Sequence, residues 1–166
     1  MIYYTSDTHF YHNNIIKYCN RPFDSVAVMN EELIDRWNSV VTNKDVVYHL
    51  GDFGMASSKD IDDVAKRLNG REKYIILGNH DKRAPATFTR KEQVTKVIDE
   101  GITFYLCHYS MRVWPSSHRN TTYQLYGHSH GNLPGIPGMS LDVGTDCWDY
   151  YPINKDQILQ RLGGIL

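Results

Sequence analysis

Asn79, His80 and Asp81 follow Gly78 directly, and Gly78 follows an apolar run, residues 74–77, with the length and composition of a buried strand. Polar groups released where a strand ends can converge on one point, because the glycine lets the backbone turn without a Cβ in the way. The three side chains are chemically complementary: Asn offers a neutral oxygen, His a proton near neutral pH, and Asp a carboxylate able to orient that His. The same punctuation recurs along the chain. Ile2–Thr5 reads as a strand that runs into Asp7 and His9, which in extended backbone project to one side and could grip one ion together. Residues 46–50 form a strand delivering Gly51 and Asp52, residues 102–107 one ending at His108, and residues 123–126 one delivering Gly127, His128, Ser129 and His130.

A lone His at a strand end is most often a hydrogen-bonded structural group. Ligand-type residues at one strand end after another are not explained that way. Oxygen and imidazole donors without thiolate suit Mn, Fe, Zn or similar divalent ions better than a Cys-rich structural zinc site. Asp7, His9, Asp52, Asn79, His108, His128 and His130 are too many for one ion. Two ions about 3.5–4 Å apart, sharing one carboxylate, would use them all and leave positions for substrate oxygens.

The elements that must position these residues are legible in part. Asn13–Tyr18 reads as a short helix, and Asp24 or Ser25 caps a longer one whose apolar face is Val26, Met29, Leu33, Ile34 and Trp37. Ser57 or Ser58 starts a third with Ile61, Val64, Ala65 and Leu68 on one side, and Asn154 caps a last one through Ile158, Leu159 and Leu162. Residues 139–143 read as a further strand after a Gly- and Pro-rich loop over 131–138. Residues 82–100 are polar, interrupted by Pro85, and their apolar positions are too sparse to choose between strand and helix. The loop 109–122 mixes Arg112, Trp114, His118 and Arg119 and is expected to form a rim over a pocket.

With 166 residues, one domain spanning 1–166 is expected. Eighteen basic against nineteen acidic residues leave a net charge of −1 with no block of either sign, which argues against a duplex nucleic-acid footprint but leaves room for a small phosphorylated ligand. Apolar runs fall far short of the ~20 residues that cross a bilayer. The first residues carry no basic and apolar leader, and Cys19, Cys107 and Cys147 suit free thiols in a reducing compartment, so a soluble cytoplasmic protein is expected.

Taken together, Asp7-x-His9, Gly51-Asp52, Gly78-Asn79-His80-Asp81, His108 and Gly127-His128-x-His130 resemble the calcineurin-like metallophosphoesterases over residues 7 to 130. That resemblance implies an α/β (α+β) fold, a four-layer sandwich of two mixed β-sheets flanked by helices. It implies that Asp7, His9, Asp52 and His130 hold a first metal and that Asp52, Asn79, His108 and His128 hold a second, manganese being the expected occupant in vitro. A hydroxide bridging the metals would attack phosphorus in line, His80 would protonate the leaving alkoxide, and Asp81 would hold the His80 imidazole. Phe53 after Asp52 and Asp81 after His80 depart from the serine/threonine phosphoprotein phosphatases, so phosphoprotein is not the expected substrate. Ser6 to Phe10, His49 to Phe53 and Trp148 to Pro152 look like the small bacterial and phage phosphoesterases of the superfamily.

Around that set, His12 lies three residues after His9 and could contact phosphate or support a ligand, or else lie on the surface or cap a helix, and Arg21 could fork a phosphate or lie on the surface. His118 and Arg119 share the rim loop with Trp114, which suits stacking on a base or aromatic ester, or a solvated loop with one packed Trp. His49 reads as a buried structural His, and Trp37 and Trp148 as packing. The leading expectation is hydrolysis of phosphomonoesters or phosphodiesters, small nucleotides included. A nuclease is the first alternative, disfavoured by the charge, and a non-catalytic scaffold the second, disfavoured by the intact ligand set.

Overall fold

The computed structural model describes residues 1–133 and 139–163. In chain order these form β1 (Ile2–Thr5), α1 (Asn13–Tyr18), α2 (Val26–Val40), β2 (Val46–His49), α3 (Ser58–Arg67), β3 (Glu72–Ile75) and β4 (Thr89–Arg90). There follow β5 (Thr95–Asp99), β6 (Ile102–Leu106), β7 (Thr122–Tyr126), β8 (Ser140–Asp142), a 3-10 turn over Thr145–Cys147, β9 (Ile153–Asn154) and α4 (Lys155–Gly163).

The period-2 alternation of strand side chains divides the interior in two. Tyr3, Val47 and Ile75 join one apolar cluster with Met29, Leu33 and Trp37 of α2 and Ile61, Val64 and Ala65 of α3. Tyr4 turns the other way and packs with Leu50, Ile76, Phe104, Leu106 and Leu125, so the second cluster lies between two sheets; α4 adds Ile158 and Leu162 to it. One sheet has the order β4-β3-β2-β1-β9, the other β5-β6-β7-β8. Both are mixed: β1 to β4 run parallel with β9 antiparallel to β1, and β6 to β8 run parallel with β5 antiparallel to β6. Two mixed sheets flanked by helices is the architecture that the resemblance implied.

Local chemistry sets the ends of the helices. The Ser25 and Ser57 hydroxyls accept the amides of Val28 at 3.3 Å and Asp60 at 3.2 Å, capping α2 and α3. Asn154 Oδ1 accepts the Gln157 amide at 3.1 Å while Gln157 Oε1 accepts the Asn154 amide at 3.0 Å, a reciprocal box before α4. Trp37 is 2 % exposed, its indole N–H donating to the Asn69 carbonyl at 2.9 Å. No described helix is long and apolar enough to cross a membrane.

Residues 82–100, unassigned by pattern, hold two strands. β4 extends the first sheet by pairing with β3, and β5 pairs with β6 through a turn at Glu100 and Gly101, whose φ of 46° and 88° are the left-handed pair that a two-residue hairpin needs. Of the loop expected over 131–138, residues 134–138 lie outside those described.

Candidate metal centre

Parallel strands put their carboxyl ends on one edge, and the loops leaving β1, β2 and β3 meet there those leaving β6 and β7. The Asp7 amide donates to the Gly51 carbonyl at 2.9 Å and the His9 amide to the Asp52 carbonyl at 3.0 Å, lacing the first two loops together. Asp7, His9, Asp52, His128 and His130 all have left-handed φ, at 58°, 52°, 55°, 67° and 47°. Such backbone is uncommon for non-glycine residues and accumulates at functional sites. Asp7 and His9 are therefore united by two sharp turns and not by the pleat of an extended strand, because the strand has ended at Thr5.

Two glycines make the approach possible. A Cβ on Gly51 would lie 2.5 Å from the Gly78 nitrogen, and a Cβ on Gly78 would lie 2.2 Å from Asp52 Oδ1. Both contacts are far inside van der Waals distance, so any side chain there would part the loops that carry Asp52 and Asn79.

Ligand atoms of Asp7, His9 and His130 lie within 4.8 Å of one another, as do those of Asp52, His108 and His128. Asp52 joins the groups: its Oδ2 is 3.7 Å from His9 Nε2 and 3.5 Å from His108 Nε2. Asn79 Oδ1 is 3.2 Å from His108 Nε2. Asp7, His9, Asp52 and His108 are buried, whereas Asn79, His80 and His128 are exposed, so one side of the cluster faces solvent.

The electrostatics reflect that burial. Desolvation pushes the Asp7 carboxyl up to about 7 against the pull of His130 and His108. Burial also holds His9 well below its ordinary value, the Asp52 carboxylate opposing. Asp52 itself is held low, because hydrogen bonds from His108 and the His80 amide outweigh desolvation. His130 is raised to about 10: burial works against its charge, but the Asp146 hydrogen bond, Cys19 and the Asp7 charge prevail.

Other expected site residues are placed differently. Asp81 does not hold the His80 imidazole. Its Oδ2 accepts the amides of Asp52 at 2.7 Å and Gly78 at 2.9 Å, and its Oδ1 that of Phe53 at 2.9 Å, so the carboxylate is spent on tying the β2 and β3 loops together. His80 donates its amide to Asp52 Oδ1 at 2.9 Å, and its ring lies 5.5 Å from that of His9 and 5.9 Å from that of His12. His12 is at the cluster, its Nδ1 3.2 Å from His9 Nδ1.

Arg21 is 3 % exposed and turned inward, so it forks no phosphate. It grips Asp146 through two 2.8 Å bonds and donates to the carbonyls of Asp7 at 2.8 Å and Thr8 at 3.0 Å. His118 and Arg119 are exposed on the loop after β6, but Trp114 is 6 % exposed and packed inward, so its ring is not presented for stacking. His49 is fully buried, bonded to Thr8 Oγ1 at 3.0 Å and accepting the Gly51 amide at 3.2 Å; burial lowers its pKa to about 3.

Sequence reasoning missed Asp146. Its Oδ2 lies 2.7 Å from His130 Nδ1, which leaves His130 Nε2 turned towards Asp7. Cys19 Sγ completes a third close grouping with His130 and Asp146, but Asp146 is already neutralised by Arg21, which suits it to orienting the ring. No local pattern around Asp146 signals this.

The model of the calcineurin-like phosphoesterase superfamily domain matches residues 1–134. The uncharacterized protein MJ1445 of Methanocaldococcus jannaschii is 39% identical over 172 residues, which cover 97% of this chain and 90% of that protein. The gene 66 protein of Mycobacterium phage L5 is 34% identical over 85 residues, 50% of this chain and 41% of its own length. Among solved structures, AQ665, a protein of unknown function from Aquifex aeolicus, superposes with a TM-score of 0.77 at 26% identity, covering 96% of this chain and 98% of its own. Since every residue of the two ligand groups falls inside the matched span, fold, site and sequence meet in one statement: the chain belongs to the calcineurin-like phosphoesterase superfamily.

Proposed function

We propose that this protein is a dinuclear-metal-dependent phosphoesterase that hydrolyses phosphomonoesters or phosphodiesters of small compounds, nucleotides among them. One observation carries the reading. His9 Nε2 is buried without a hydrogen-bond partner, 3.9 Å from Asp7 Oδ1 and 3.7 Å from Asp52 Oδ2. Those gaps are too long for hydrogen bonds. They fit donors of one ion, since ligands bound at about 2.0–2.2 Å stand about 3–4 Å apart. An uncharged imidazole nitrogen facing two carboxylates is otherwise an unpaired polar group left in the dark of the protein, which costs about 1–3 kcal/mol.

Asp7, His9 and His130 would hold one divalent cation, and Asn79, His108 and His128 the other, with Asp52 shared between them. Such a pair neutralises phosphoryl oxygens and brings the pKa of water towards neutrality. The chain's own groups do the rest. Arg21 and Asp146 fix the ring of His130, Asp81 holds the Asp52 and Asn79 loops in register, and His80 stands at the open side, able to give a proton to a departing alcohol oxygen. The test is reconstitution: calorimetric titration with Mn²⁺ should saturate at two ions per chain and switch on hydrolysis of bis(p-nitrophenyl) phosphate. Saturation at two ions with no phosphate ester cleaved would refute the activity.

Two further results are expected. Asp146→Asn keeps shape but removes the charge that orients His130, so metal affinity at that position should fall about 10–100-fold by calorimetry. An unchanged isotherm would assign Asp146 to packing alone. The second concerns pH. Metal binding needs His130 Nε2 without its proton and Asp7 as carboxylate, groups that without metal hold protons up to about pH 10 and about pH 7 respectively. Between those values one proton must leave when the ion held by Asp7, His9 and His130 binds, and below about 7 a second must leave as well. Apparent affinity should therefore drop about tenfold per unit from pH 9 to pH 7 and more steeply below. Affinity independent of pH between 6 and 9 would contradict it.

A further inference from the structure

Beside the ligand cluster lies a cavity of about 290 Å³ whose lining includes Phe53, Met55, Ile61, His80, Lys82 and Pro85. It shares one wall with the cluster, and that wall is His80. His80, whose ring stands 5.5 Å from that of His9, is also one of the residues lining the cavity. We infer that this cavity receives the leaving alcohol of the ester, and that the preferred alcohols carry a flat aromatic body. The inference rests on the phosphoesterase reading and adds to it a substrate class.

The walls are held in place. Asp81 binds the amides of Phe53 and Gly78, joining the two loops that frame the cavity. Arg83 closes one end, held by both oxygens of Asp62 at 3.1 and 2.8 Å and by the Ser58 carbonyl at 2.9 Å. The lining is mixed: Met55, 44 % exposed, and Ala56 stand beside the buried Phe53, Ile61 and Pro85 as its apolar part, while Ser58, Asp81, Lys82 and Arg83 supply its polar part. A cavity of about 150 Å³ lined by apolar groups holds benzene, so this one has room for two fused rings. Lys82 is exposed at the rim and makes no hydrogen bond or ion pair among the described residues, which leaves its ammonium free for the phosphoryl charge.

The position relative to His80 decides which half of the ester goes there. A group that protonates the departing oxygen must touch it, so the alcohol attached to that oxygen extends past His80 and away from the ligand cluster, into the cavity. An open surface without this cavity would accept any alcohol alike.

Hydrolysis of 2-naphthyl phosphate is compared with that of phenyl phosphate, whose leaving groups have similar acidity, by the Mn²⁺-loaded protein. The second ring should raise kcat/KM about tenfold through burial of its apolar area. Ala56→Trp, which places a large ring in the cavity from an exposed position, should bring the ratio towards one. A second measurement needs no turnover: 2-naphthol titrated into protein labelled at the methionine methyls should shift Met55 saturably and leave the buried Met29 unmoved. A naphthyl preference that survives Ala56→Trp, or a Met55 methyl indifferent to naphthol, would overturn the inference. If naphthol moves Met55 yet no phosphate ester is cleaved, the pocket stands and the phosphoesterase reading fails.

Discussion

Asp52→Asn should cut turnover of bis(p-nitrophenyl) phosphate by about 10⁴-fold, equivalent to about 5.5 kcal/mol of barrier, and should leave the purified protein depleted of transition metal. The carboxylate is 2 % exposed, and its Oδ2 stands 3.5 Å from one imidazole nitrogen and 3.7 Å from another that belongs to the other ligand group. Only an anion with two oxygens can serve both groups and the His80 amide at once. Asparagine has the same shape and can still accept that amide, but it brings no charge and a single acceptor oxygen. Elemental analysis, turnover and a melting curve on the same preparation separate the outcomes. A folded variant with wild-type metal content and wild-type turnover would remove Asp52 from the centre of the chemistry.

His80→Ala should behave differently. His80 belongs to neither close group of ligand atoms, so metal content should stay at the wild-type level while kcat falls. Loss of a positioned acid costs about 10²–10⁴-fold where the leaving oxygen needs a proton. A p-nitrophenolate leaves nearly unaided, so with that ester the loss should shrink to about tenfold or less, whereas an alkyl phosphate ester should show the full effect. The dependence on the alcohol tells a proton donor from a residue that merely orients substrate, because an orienting residue would cost the same with both esters. An equal loss across leaving groups would reassign His80 to positioning. Since Asp81 is spent on backbone amides, Asp81→Asn should disturb the loops first and His80 only through them.

Much of the site could be read from the chain because its logic is local. A run of apolar residues, a glycine and then a polar ligand-type residue states that a strand ends there and what it delivers; Asp52, Asn79 and His128 could be found on that basis, and His108 as the polar residue that directly ends its strand. Caps work in the same way: Asn154 and Gln157 bond each other within one turn, so their pairing is visible in a window of four residues. The β5–β6 hairpin was not legible, because the apolar positions of residues 82–100 are too sparse to choose between strand and helix. Glu100 and Gly101 sit between Val97 and Phe104, apolar partners across the ladder, and a glutamate with φ of 46° is not a residue that announces a left-handed turn.

The sequence by itself determined the inventory: which side chains could bind metal, and that they leave strand ends; that the strands run parallel and carry them to one edge came from the structure. It also made the family recognisable. Tertiary structure alone decided what each neighbour of that inventory does. Asp81 beside His80 looks like its partner, yet its bonds go to amides across the β2 and β3 loops. Arg21 looks like an exposed phosphate fork, yet it meets Asp146, 125 residues later in the chain, deep beneath His130. The physical reason is range. Chain direction and side-chain period are set by neighbouring residues, whereas a buried charge takes whatever partner the packed layers bring within about 3 Å, and that distance is fixed only when both sheets have closed over it.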